Sequence, residues 1–453
     1  MLQSKTVRKY DTYKDSGIEW IGEIPQEWNT ITLKRVFSNR DGGAWGEEAQ
    51  NNENDRICIR IADFDYPKMT IKHDIDYTVR NYTTDVIEKL ALQKNDILIE
   101  KSGGGDQTPV GRTIIFNEDF NALYANFMDR LRVKQSISSK FIQYLLVSFY
   151  QNGITYQYIK QTTGIQNLDL TNLLAKESIV LPILDEQQRI AEYLDKKCGV
   201  IDRVVETEKA VIEKLKEYKQ SIITEAVTKG LDKTVPLKDS GIEWIGKIPQ
   251  HWEDIKLKFC TYIRARLGWK GLKAEEYVEE GYPLLSAFNI VNSKLIFEDL
   301  NFINQYRYDE SPEIKLQEQD ILLVKDGAGI GKCAIVENMP IPSTVNGSIA
   351  VITTNYLLMG KFLYYYFLSD LFQAYIDRLK DGMGVPHLFQ SDLKEITIVI
   401  PNISEQQQIA EYLDNKCFEI DKAIADKEQI IEKFTEYKKS LIYECVTGKR
   451  KVV

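Results

Sequence analysis

Residues 181–202 read LPILDEQQRIAEYLDKKCGVID, and residues 400–421 read IPNISEQQQIAEYLDNKCFEID, 219 positions further along the chain. A second segment, KDSGIEWIGEIPQEW at residues 14–28, returns as KDSGIEWIGKIPQHW at residues 238–252. Between these similar blocks the two halves of the chain diverge almost completely. A long internal repeat indicates one architecture used twice. We therefore expect two half-proteins, each made of a variable domain and a helix.

The composition of the 453 residues is that of an ordinary globular protein, with 43% hydrophobic and 28% charged residues. The formal net charge of −9 excludes a uniformly basic coat for nucleic acid, but it does not exclude a locally basic DNA reader. Six widely spaced cysteines without a C-x-x-C pair argue against zinc ribbons and disulfide scaffolds. The first residues lack the apolar core of a signal peptide, and no apolar run approaches a membrane span. We expect a cytoplasmic protein without membrane contacts.

Apolar side chains recur every seven residues after each EQQ segment, which predicts two long helices that form a coiled coil. The first stripe consists of Leu194, Ile201, Leu215 and Ile222, and the second of Leu413, Ile420, Phe434 and Leu441. DEQQ at 185–188 and SEQQ at 404–407 fit capping boxes at the helix starts. About 40 helical residues would span roughly 60 Å and could set a distance between two domains. The alternative is a simple dimerisation coiled coil.

One heptad position is charged in both stripes, as Glu208 in the first and Lys427 in the second. Each lies near the middle of its predicted helix. In an antiparallel pair the two midpoints would face each other, so we predict that Glu208 and Lys427 pair and fix the register. The alternative is that both side chains are exposed.

The repeat and the patterning divide the chain into six segments. These are residues 1–28 and 231–252 (the repeated short segments), 29–181 and 253–400 (the variable domains), and 182–230 and 401–453 (the helices). The variable domains begin with short alternating strands and end in helical stretches, which is typical of an α+β domain. The predicted fold class is therefore α+β, with two variable domains joined by two long helices in an antiparallel coiled coil with pseudo-twofold symmetry.

A glycine-rich loop follows a buried strand in each variable domain. The first runs from Lys101 through Ser102 and Gly103 to Arg112, and the second from Lys325 to Lys332. The second loop is not a Walker A loop, because its spacing is one residue short and Cys333 replaces the required Ser or Thr. Glycines let backbone amides approach a phosphate, while the flanking cations neutralise it or contact a guanine edge. The alternative is a tight structural turn with solvated charges.

Further candidate DNA contacts lie near the front of each variable domain. The second domain has a basic stretch with aromatic residues between the charges, and its candidates are Arg264, Arg266, Trp269 and Lys270. The first domain offers Arg40, at the start of the corresponding stretch, and Arg60, on a predicted strand. The alternative for all of them is a solvated strand face.

The repeated motifs together resemble those of the specificity subunit of type I restriction–modification systems. The resemblance covers essentially the whole chain and is carried by the doubled D-S-G-I-E-W-I-G-x-I-P-x-x-W and E-Q-Q-x-I-A-x-Y-L-D-x-K-C segments. TTGIQNL at 162–168, GMGVPHL at 382–388 and LGWKGL at 267–272 are also similar to the family. Any one of these motifs alone would be weak, but their repeated order is specific.

The resemblance implies two target recognition domains, each reading one half of a bipartite, asymmetric DNA target. It implies that the helices set the spacer and dock two copies of a DNA adenine methylation subunit, and that a translocase/restriction subunit completes the complex. It further implies that this chain is non-catalytic and has no cofactor. S-adenosylmethionine, ATP and Mg would then be bound by the partner subunits. A specificity subunit of another restriction type remains an alternative.

Two other classes of protein are alternatives to a DNA-recognition subunit. An enzyme carrying its own methylation chemistry would need an N-P-P-Y or D-P-P-Y signature, which the sequence lacks. His73, His251 and His387 have no metal or triad spacing either. A coiled-coil adaptor that binds only protein would show no sequence preference on DNA.

Overall fold

The computed structural model describes residues 8–452 except 163, 267–271 and 381–386. The chain forms two compact units. Unit 1 comprises Met1–Lys209 and Glu428–Val453, and unit 2 comprises Ala210–Lys427. Each unit thus holds one variable domain with half of each long helix, whereas the sequence predicted a variable domain with one whole helix. Within a unit, the first half of one helix packs beside the second half of the other.

Unit 1 is a mixture of short strands and helices, as the α+β prediction requires. Its strands are β1 (Tyr13–Asp15), β2 (Glu23–Pro25), β3 (Asn29–Thr32), β4 (Phe37–Gly42), β5 (Glu47–Glu48), β6 (Asp55–Ile59), β7 (Phe64–Asp65), β8 (Thr70–Ile71), β9 (Val79–Asn81), β10 (Asp96–Glu100), β11 (Ser102–Gly103), β12 (Thr113–Phe116), β13 (Ala122–Tyr124), β14 (Met128–Val133), β15 (Ile159–Thr162), β16 (Ile165–Leu168) and β17 (Ser178–Leu181). Its helices are α1 (Thr84–Leu90), α2 (Ser139–Gln151), α3 (Leu170–Lys176), the first half of α4 (Leu184–Lys229) and the second half of α10 (Ile403–Val446).

Unit 2 repeats this mixture. Its strands are β18 (Leu237–Asp239), β19 (Lys247–Pro249), β20 (Glu253–Lys256), β21 (Thr261–Ala265), β22 (Tyr277–Val278), β23 (Tyr282–Leu285), β24 (Ile290–Val291), β25 (Lys294–Leu295), β26 (Asn301–Ile303), β27 (Ile321–Val324), β28 (Cys333–Ile335), β29 (Thr344–Val345), β30 (Ile349–Thr354) and β31 (Thr397–Ile400). Its helices are the second half of α4, α5 (Leu257–Cys260), α6 (Gln305–Asp309), α7 (Gly360–Leu368), α8 (Asp370–Lys380), α9 (Gln390–Glu395) and the first half of α10 (Ile403–Val446).

The two units share their sheet topology even where their sequences diverge. The main sheet has the order β12-β10-β14-β4 in unit 1 and β28-β27-β30-β21 in unit 2. A second sheet has the order β13-β6-β9-β5 in unit 1 and β29-β23-β26-β22 in unit 2. In both second sheets the first two strands run parallel. The repeat seen in the similar segments therefore extends through the variable domains.

A fully buried strand lies inside each main sheet. Every residue of β10 and of β27 is buried. Because successive side chains point to opposite faces, Ile97 and Ile99 enter one core cluster while Leu98 enters another. Ile321 and Leu322 divide in the same way between two clusters of unit 2. This burial fixes the point at which each glycine-rich loop leaves its sheet.

The two long helices were predicted correctly, but their capping boxes were not. The helices begin at Leu184 and Ile403, so Asp185 and Ser404 lie inside the first turn and do not occupy the cap. In the second helix the side chain of Asn402 takes that place and accepts a hydrogen bond from the Glu405 amide at 3.0 Å.

Equivalent glutamines then tie each helix start to its own variable domain. Gln187 donates to the carbonyl of Pro182, and its side-chain oxygen accepts from the Ser138 amide at 2.9 Å. Gln406 donates to the carbonyl of Pro401 and accepts from the Met359 amide at 2.8 Å. The repeated glutamines therefore bond to the residues around the helix start and to the loop before α2 or α7, which fixes the helix against the domain.

Most of the predicted heptad stripe is buried. Leu194 and Leu413 are fully buried, and Cys198 and Cys417 are nearly so, as small seam residues are. Trp28 and Trp252 are also fully buried, in the core of unit 1 and of unit 2 respectively. The repeated tryptophan segments thus pack within their units.

Each unit contains the same ion pair between its two helix halves. In unit 1 Lys438 Nζ lies 2.6 Å from Asp202, and in unit 2 Lys219 Nζ lies 2.7 Å from Asp421. Asp202 and Asp421 are repeat partners, as are Lys219 and Lys438. The doubled pair supports antiparallel helix packing within each unit.

The two residues predicted to pair and fix the helix register belong to different units, Glu208 to unit 1 and Lys427 to unit 2. Their pairing stays a prediction.

Within the described residues, no helix is long and apolar enough to cross a membrane. The same residues contain no cluster of three or more His, Cys, Asp or Glu side chains suited to a metal ion. All six cysteines are buried thiols.

Candidate nucleic-acid interface

Three loops of unit 1 meet where the buried strand β10 ends. They are residues 60–63, the glycine-rich loop 101–112, and residues 125–127, and we call them the loop cluster of unit 1. The Ala125 amide donates to the Ile59 carbonyl at 2.9 Å, and the Lys101 amide donates to the Phe127 carbonyl at 2.8 Å. Backbone hydrogen bonds therefore hold the three loops together, whatever side chains they carry.

Unit 2 builds the same cluster from residues 286–289, 325–332 and 346–348. The Asn346 amide donates to the Leu285 carbonyl at 2.9 Å, and the Lys325 amide donates to the Ser348 carbonyl at 2.8 Å. These two bonds are the counterparts of those in unit 1. The backbone frame is thus common to both units, while the side chains on it differ.

Each glycine-rich loop also meets one of the family-like motifs. The Leu168 amide, at the end of TTGIQNL, donates to the Lys101 carbonyl at 2.8 Å. The Leu388 amide, at the end of GMGVPHL, donates to the Lys325 carbonyl at 2.9 Å. The sequence identified these motifs separately, and the structure joins them at equivalent bonds.

Arg40 and Lys101, two of the predicted contacts, converge on one carboxylate. Arg40 Nε lies 2.7 Å and Lys101 Nζ 2.8 Å from the side chain of Asp129, which is 3% exposed. Arg40 also donates to the hydroxyl of Thr171 at 2.8 Å. Two cations on one buried carboxylate leave a net positive charge, and both cations are about one third exposed. This arrangement suits a contact to a phosphate.

Arg112 is held rigidly at the end of the same loop. Its Nε and NH2 donate to the two oxygens of Glu100 at 2.9 and 2.8 Å, and its Cζ lies 3.7 Å from the ring centre of Tyr66. Burial, the largest single influence, lowers the pKa of Arg112, but the hydrogen bonds and charge of Glu100 together raise that pKa above its ordinary value. The guanidinium therefore stays charged in a fixed plane.

Arg60 opens the first loop of the cluster and is 38% exposed. Its NH2 lies 2.8 Å from the buried carboxylate of Asp63, whose hydrogen bond raises the pKa of Arg60. The Arg60 amide also donates to that carboxylate, at 2.8 Å. The side chain is thus anchored at a short turn and reaches the surface.

Ser102 and Gly103 form the short strand β11, which pairs with β16. The hydroxyl of Ser102 is hydrogen-bonded to the side chain of Asn167, which belongs to the TTGIQNL motif. Gly103 has a φ of +109°, a conformation that favours glycine, and a side chain there would meet no atom within 4 Å. The backbone at Gly103 is therefore open to an approaching group.

Lys325 and Lys332 occupy the ends of the glycine-rich loop in unit 2. Lys325 is nearly buried and pairs with Asp326 at 2.8 Å, and the same carboxylate contacts His387. Lys332 is exposed and has no carboxylate partner among the described residues. Of the two lysines, Lys332 is the one available to a phosphate.

Arg264 and Arg266 lie inside unit 2, at 9% and 7% exposure, and not on a solvated strand face. Arg264 NH2 lies 2.8 Å from Asp320, which is fully buried. Burial lowers the pKa of Arg266, whose NH1 lies 3.4 Å from the hydroxyl of Ser311. These surroundings favour a structural role, and DNA contact by either arginine stays a prediction.

Trp269 and Lys270, the remaining candidates in unit 2, lie outside the described residues. The neighbouring lysines of the basic stretch, Lys256 and Lys258, both pair with Glu395 at 2.7 Å. The hydrogen bonds from the two lysines lower the pKa of Glu395 to about 2, and the bond from Lys256 contributes most.

Sequence reasoning missed the acidic and aromatic partners of the predicted cations. Glu100 could have been identified from the sequence, since it ends a strand-like apolar run directly before Lys101. Asp129 also lies on a buried strand, β14, where a carboxylate needs a cationic partner. Tyr66 had no such signal, because it is far from Arg112 in the sequence.

A known protein family matches this chain twice, once in each half of the internal repeat. A family model described as the type I restriction modification DNA specificity domain matches residues 25–217 and again residues 249–433. The two matches together cover most of the chain.

Curated relatives have similar length. The chain is 25% identical over 394 residues to the type I restriction enzyme MjaVIII specificity subunit of Methanocaldococcus jannaschii, covering 85% of this chain and 86% of that one. It is 27% identical over 440 residues to the putative MjaX specificity subunit of the same organism, covering 95% and 96%. A solved structure from work on complex assembly and conformational transition of the type I R-M system aligns with a TM-score of 0.70. The aligned part covers 93% of this chain and 98% of that one at 14% identity, which supports the fold.

Proposed function

Because the chain belongs to the family of type I restriction modification DNA specificity domains, with two copies of the domain, we propose that each unit reads one half of a bipartite, asymmetric DNA target. The observation that carries this proposal is the loop cluster, which both units build with the same backbone hydrogen bonds and with different side chains. A constant frame with variable contacts is what two different half-sites require. Phosphate contacts position a protein on DNA, and contacts to base edges specify the sequence.

In unit 1 the cations Arg40, Lys101 and Arg112 hold the backbone of one half-site. Arg112 has the geometry for a second role, because its plane is fixed by Glu100 and Tyr66. In unit 2, Lys332 makes the corresponding phosphate contact. A bidentate arginine–guanine contact contributes about 1–3 kcal/mol of sequence discrimination.

The helices act as the spacer between the two half-sites and as the docking surface for two copies of a DNA adenine methylation subunit. A translocase/restriction subunit joins that complex, which works in the cytoplasm. The chain itself is non-catalytic and binds no cofactor, while S-adenosylmethionine, ATP and Mg belong to the partners. The relatives named above as specificity subunits of type I restriction enzymes support assembly with such partners.

The proposal is tested by methylating a random-sequence duplex library with the purified complex of this chain and its methylation subunit. Sequencing of the methylated adenines should give two short specified elements separated by a fixed unspecified gap. Methylation without sequence preference would instead indicate an adaptor that binds only protein. The chain alone, with S-adenosylmethionine, should transfer no methyl group, and transfer would identify it as an enzyme.

A further inference from the structure

Each loop cluster presents one phenylalanine to solvent. In unit 1 the residue is Phe127, which is 50% exposed, and in unit 2 it is Phe288, which is 90% exposed. Burying a phenylalanine side chain stabilises a protein by roughly 1.5–3 kcal/mol, so an exposed ring contributes little to folding. Neither residue was singled out from the sequence.

The backbone on both sides of Phe288 is fixed. It lies in a short turn in which the Asn289 side chain accepts from the Ser286 amide at 2.9 Å, and the Ser286 hydroxyl accepts from the Phe288 amide at 3.3 Å. The turn lies beside the glycine-rich loop. A methyl group placed on Gly329 would be 3.9 Å from Cβ of Ala287 and 3.6 Å from Cδ of Lys332. The turn that carries Phe288 therefore lies close to Lys332.

The backbone of Phe127 is fixed equally well, although it lies on a different loop of its cluster. Its carbonyl accepts from the amides of Lys101 and Ser102, at 2.8 and 3.1 Å. Those are the first two residues of the glycine-rich loop. In both units, then, an exposed ring lies on a loop that is adjacent to the glycine-rich loop with the candidate phosphate contacts.

We infer that Phe127 and Phe288 are DNA-contacting residues, and that each ring packs against a base of the half-site read by its own unit. The inference rests on the proposed function and names the apolar contact within it. Cations on the loop hold the backbone, and an aromatic side chain beside them stacks on a base or inserts at a base step. Because the two rings lie on different loops, they reach different positions in the two half-sites.

The inference is tested with Phe127→Ala and Phe288→Ala in the full chain, in complex with the methylation subunit. The probe is a duplex carrying the target identified by methylation sequencing. Each variant should bind this duplex at least about 10-fold more weakly than the unmodified complex. The slope of affinity against salt should not change, because a phenyl ring neutralises no phosphate. Phe288→Trp should retain tight binding, because a larger aromatic ring still stacks.

The two variants should also differ in the half-site that they affect. Methylation sequencing should show relaxed base preference in one half-site for Phe127→Ala and in the other for Phe288→Ala. Tyr356→Ala is the matched control, since Tyr356 is 85% exposed in unit 2 but lies where Asn355 bonds to the Phe259 and Cys260 carbonyls, away from the loop cluster. It should bind and methylate like the unmodified protein.

Unchanged affinity and unchanged base preference in both phenylalanine variants would overturn the inference, as would losses no larger than that of Tyr356→Ala. A complex whose unmodified form reads no two-part target would instead refute the proposed function. Thermal unfolding at the temperature of the unmodified protein would show that each variant is folded, which is expected for exposed positions.

Discussion

Two of the predicted arginines, on corresponding strands of the two main sheets, have different surroundings. Arg40 is about one third exposed and shares Asp129 with Lys101, whereas Arg264 is buried against Asp320. Removing Arg40 leaves its carboxylate with a second cation. Removing Arg264 leaves a buried carboxylate without its ion-pair partner, and such a loss typically costs several kcal/mol.

We therefore predict that Arg264→Ala lowers the free energy of unfolding of unit 2 by about 3–5 kcal/mol. Arg40→Ala, on the corresponding strand of unit 1, should cost about 1 kcal/mol or less. Urea unfolding followed by circular dichroism measures both. Equal costs would contradict the assignment of Arg264 to a structural pair.

Lys332 should behave as a phosphate contact. Lys332→Ala is expected to reduce the slope of log affinity against log salt by about one, and to weaken binding to all sequences alike. Fluorescence anisotropy with the complex and a target duplex at several salt concentrations checks this. Lys247→Ala, an exposed lysine on β19, should leave the slope unchanged. A change in base preference without a change in slope would assign Lys332 to a base edge.

The sequence identified several cations of the loop clusters, but it did not show which of them are buried or which side chains they contact. Lys101, Arg112 and Lys332 were found because they flank glycines after a strand-like run. The burial of Arg266 was not foreseen, since the pattern around it does not show which face of β21 is covered by other strands. Partners such as Tyr66 are brought close only by the tertiary fold.

At the scale of elements, the helix halves are joined by the repeated Asp–Lys pair. The pair in unit 1 is more shielded, with Lys438 14% and Asp202 19% exposed, than the pair in unit 2, with Lys219 28% and Asp421 40% exposed. Shielding from water strengthens a charge interaction and makes the loss of one partner more costly.

Reversing the charge of the lysine should therefore cost more stability in unit 1 than in unit 2. Lys438→Asp should destabilise unit 1 by about 2 kcal/mol, and Lys219→Asp should destabilise unit 2 by about 1 kcal/mol. Combining Lys438→Asp with Asp202→Lys should restore most of the loss. Thermal unfolding of the single and double variants gives the coupling energy. No recovery in the double variant would mean that the ion pair does not stabilise the helix packing.

The long helices were the most predictable elements, because a seven-residue apolar period needs no knowledge of the partner. Their starts were predicted less well. DEQQ and SEQQ fit a capping pattern, yet the glutamine side chains bond to Pro182 and Pro401, and Asn402 caps the second helix. A local pattern shows which groups can bond, while the loops packed beside them decide which bonds form.

At the scale of the whole molecule, the repeat predicted one architecture used twice, and the matching sheet orders confirm it. The assignment of helix halves to units was not predicted. An antiparallel pair gives each unit one half from each helix, whereas the repeat in sequence suggests one whole helix per half. The loop clusters could not be predicted, since their sequences share little beyond glycines and flanking cations.

If the helices set the spacer, their length should set the gap. One heptad inserted after Glu208 and another after Lys427 keeps the apolar stripe and adds roughly 10 Å to the helix pair. At about 3.4 Å per base pair, the unspecified gap in the target should lengthen by about three base pairs. Seven residues inserted in the loop 231–236 should leave the gap unchanged. Methylation sequencing reads the gap directly, and an unaltered gap in the heptad variant would exclude the helices as the spacer.

The central claim is that two units read two separate half-sites. Genome-wide mapping of methylated adenines in a host that carries this chain with its methylation subunit tests this most directly. The account predicts one split motif, with two specified elements at a fixed distance. A short continuous motif would contradict it.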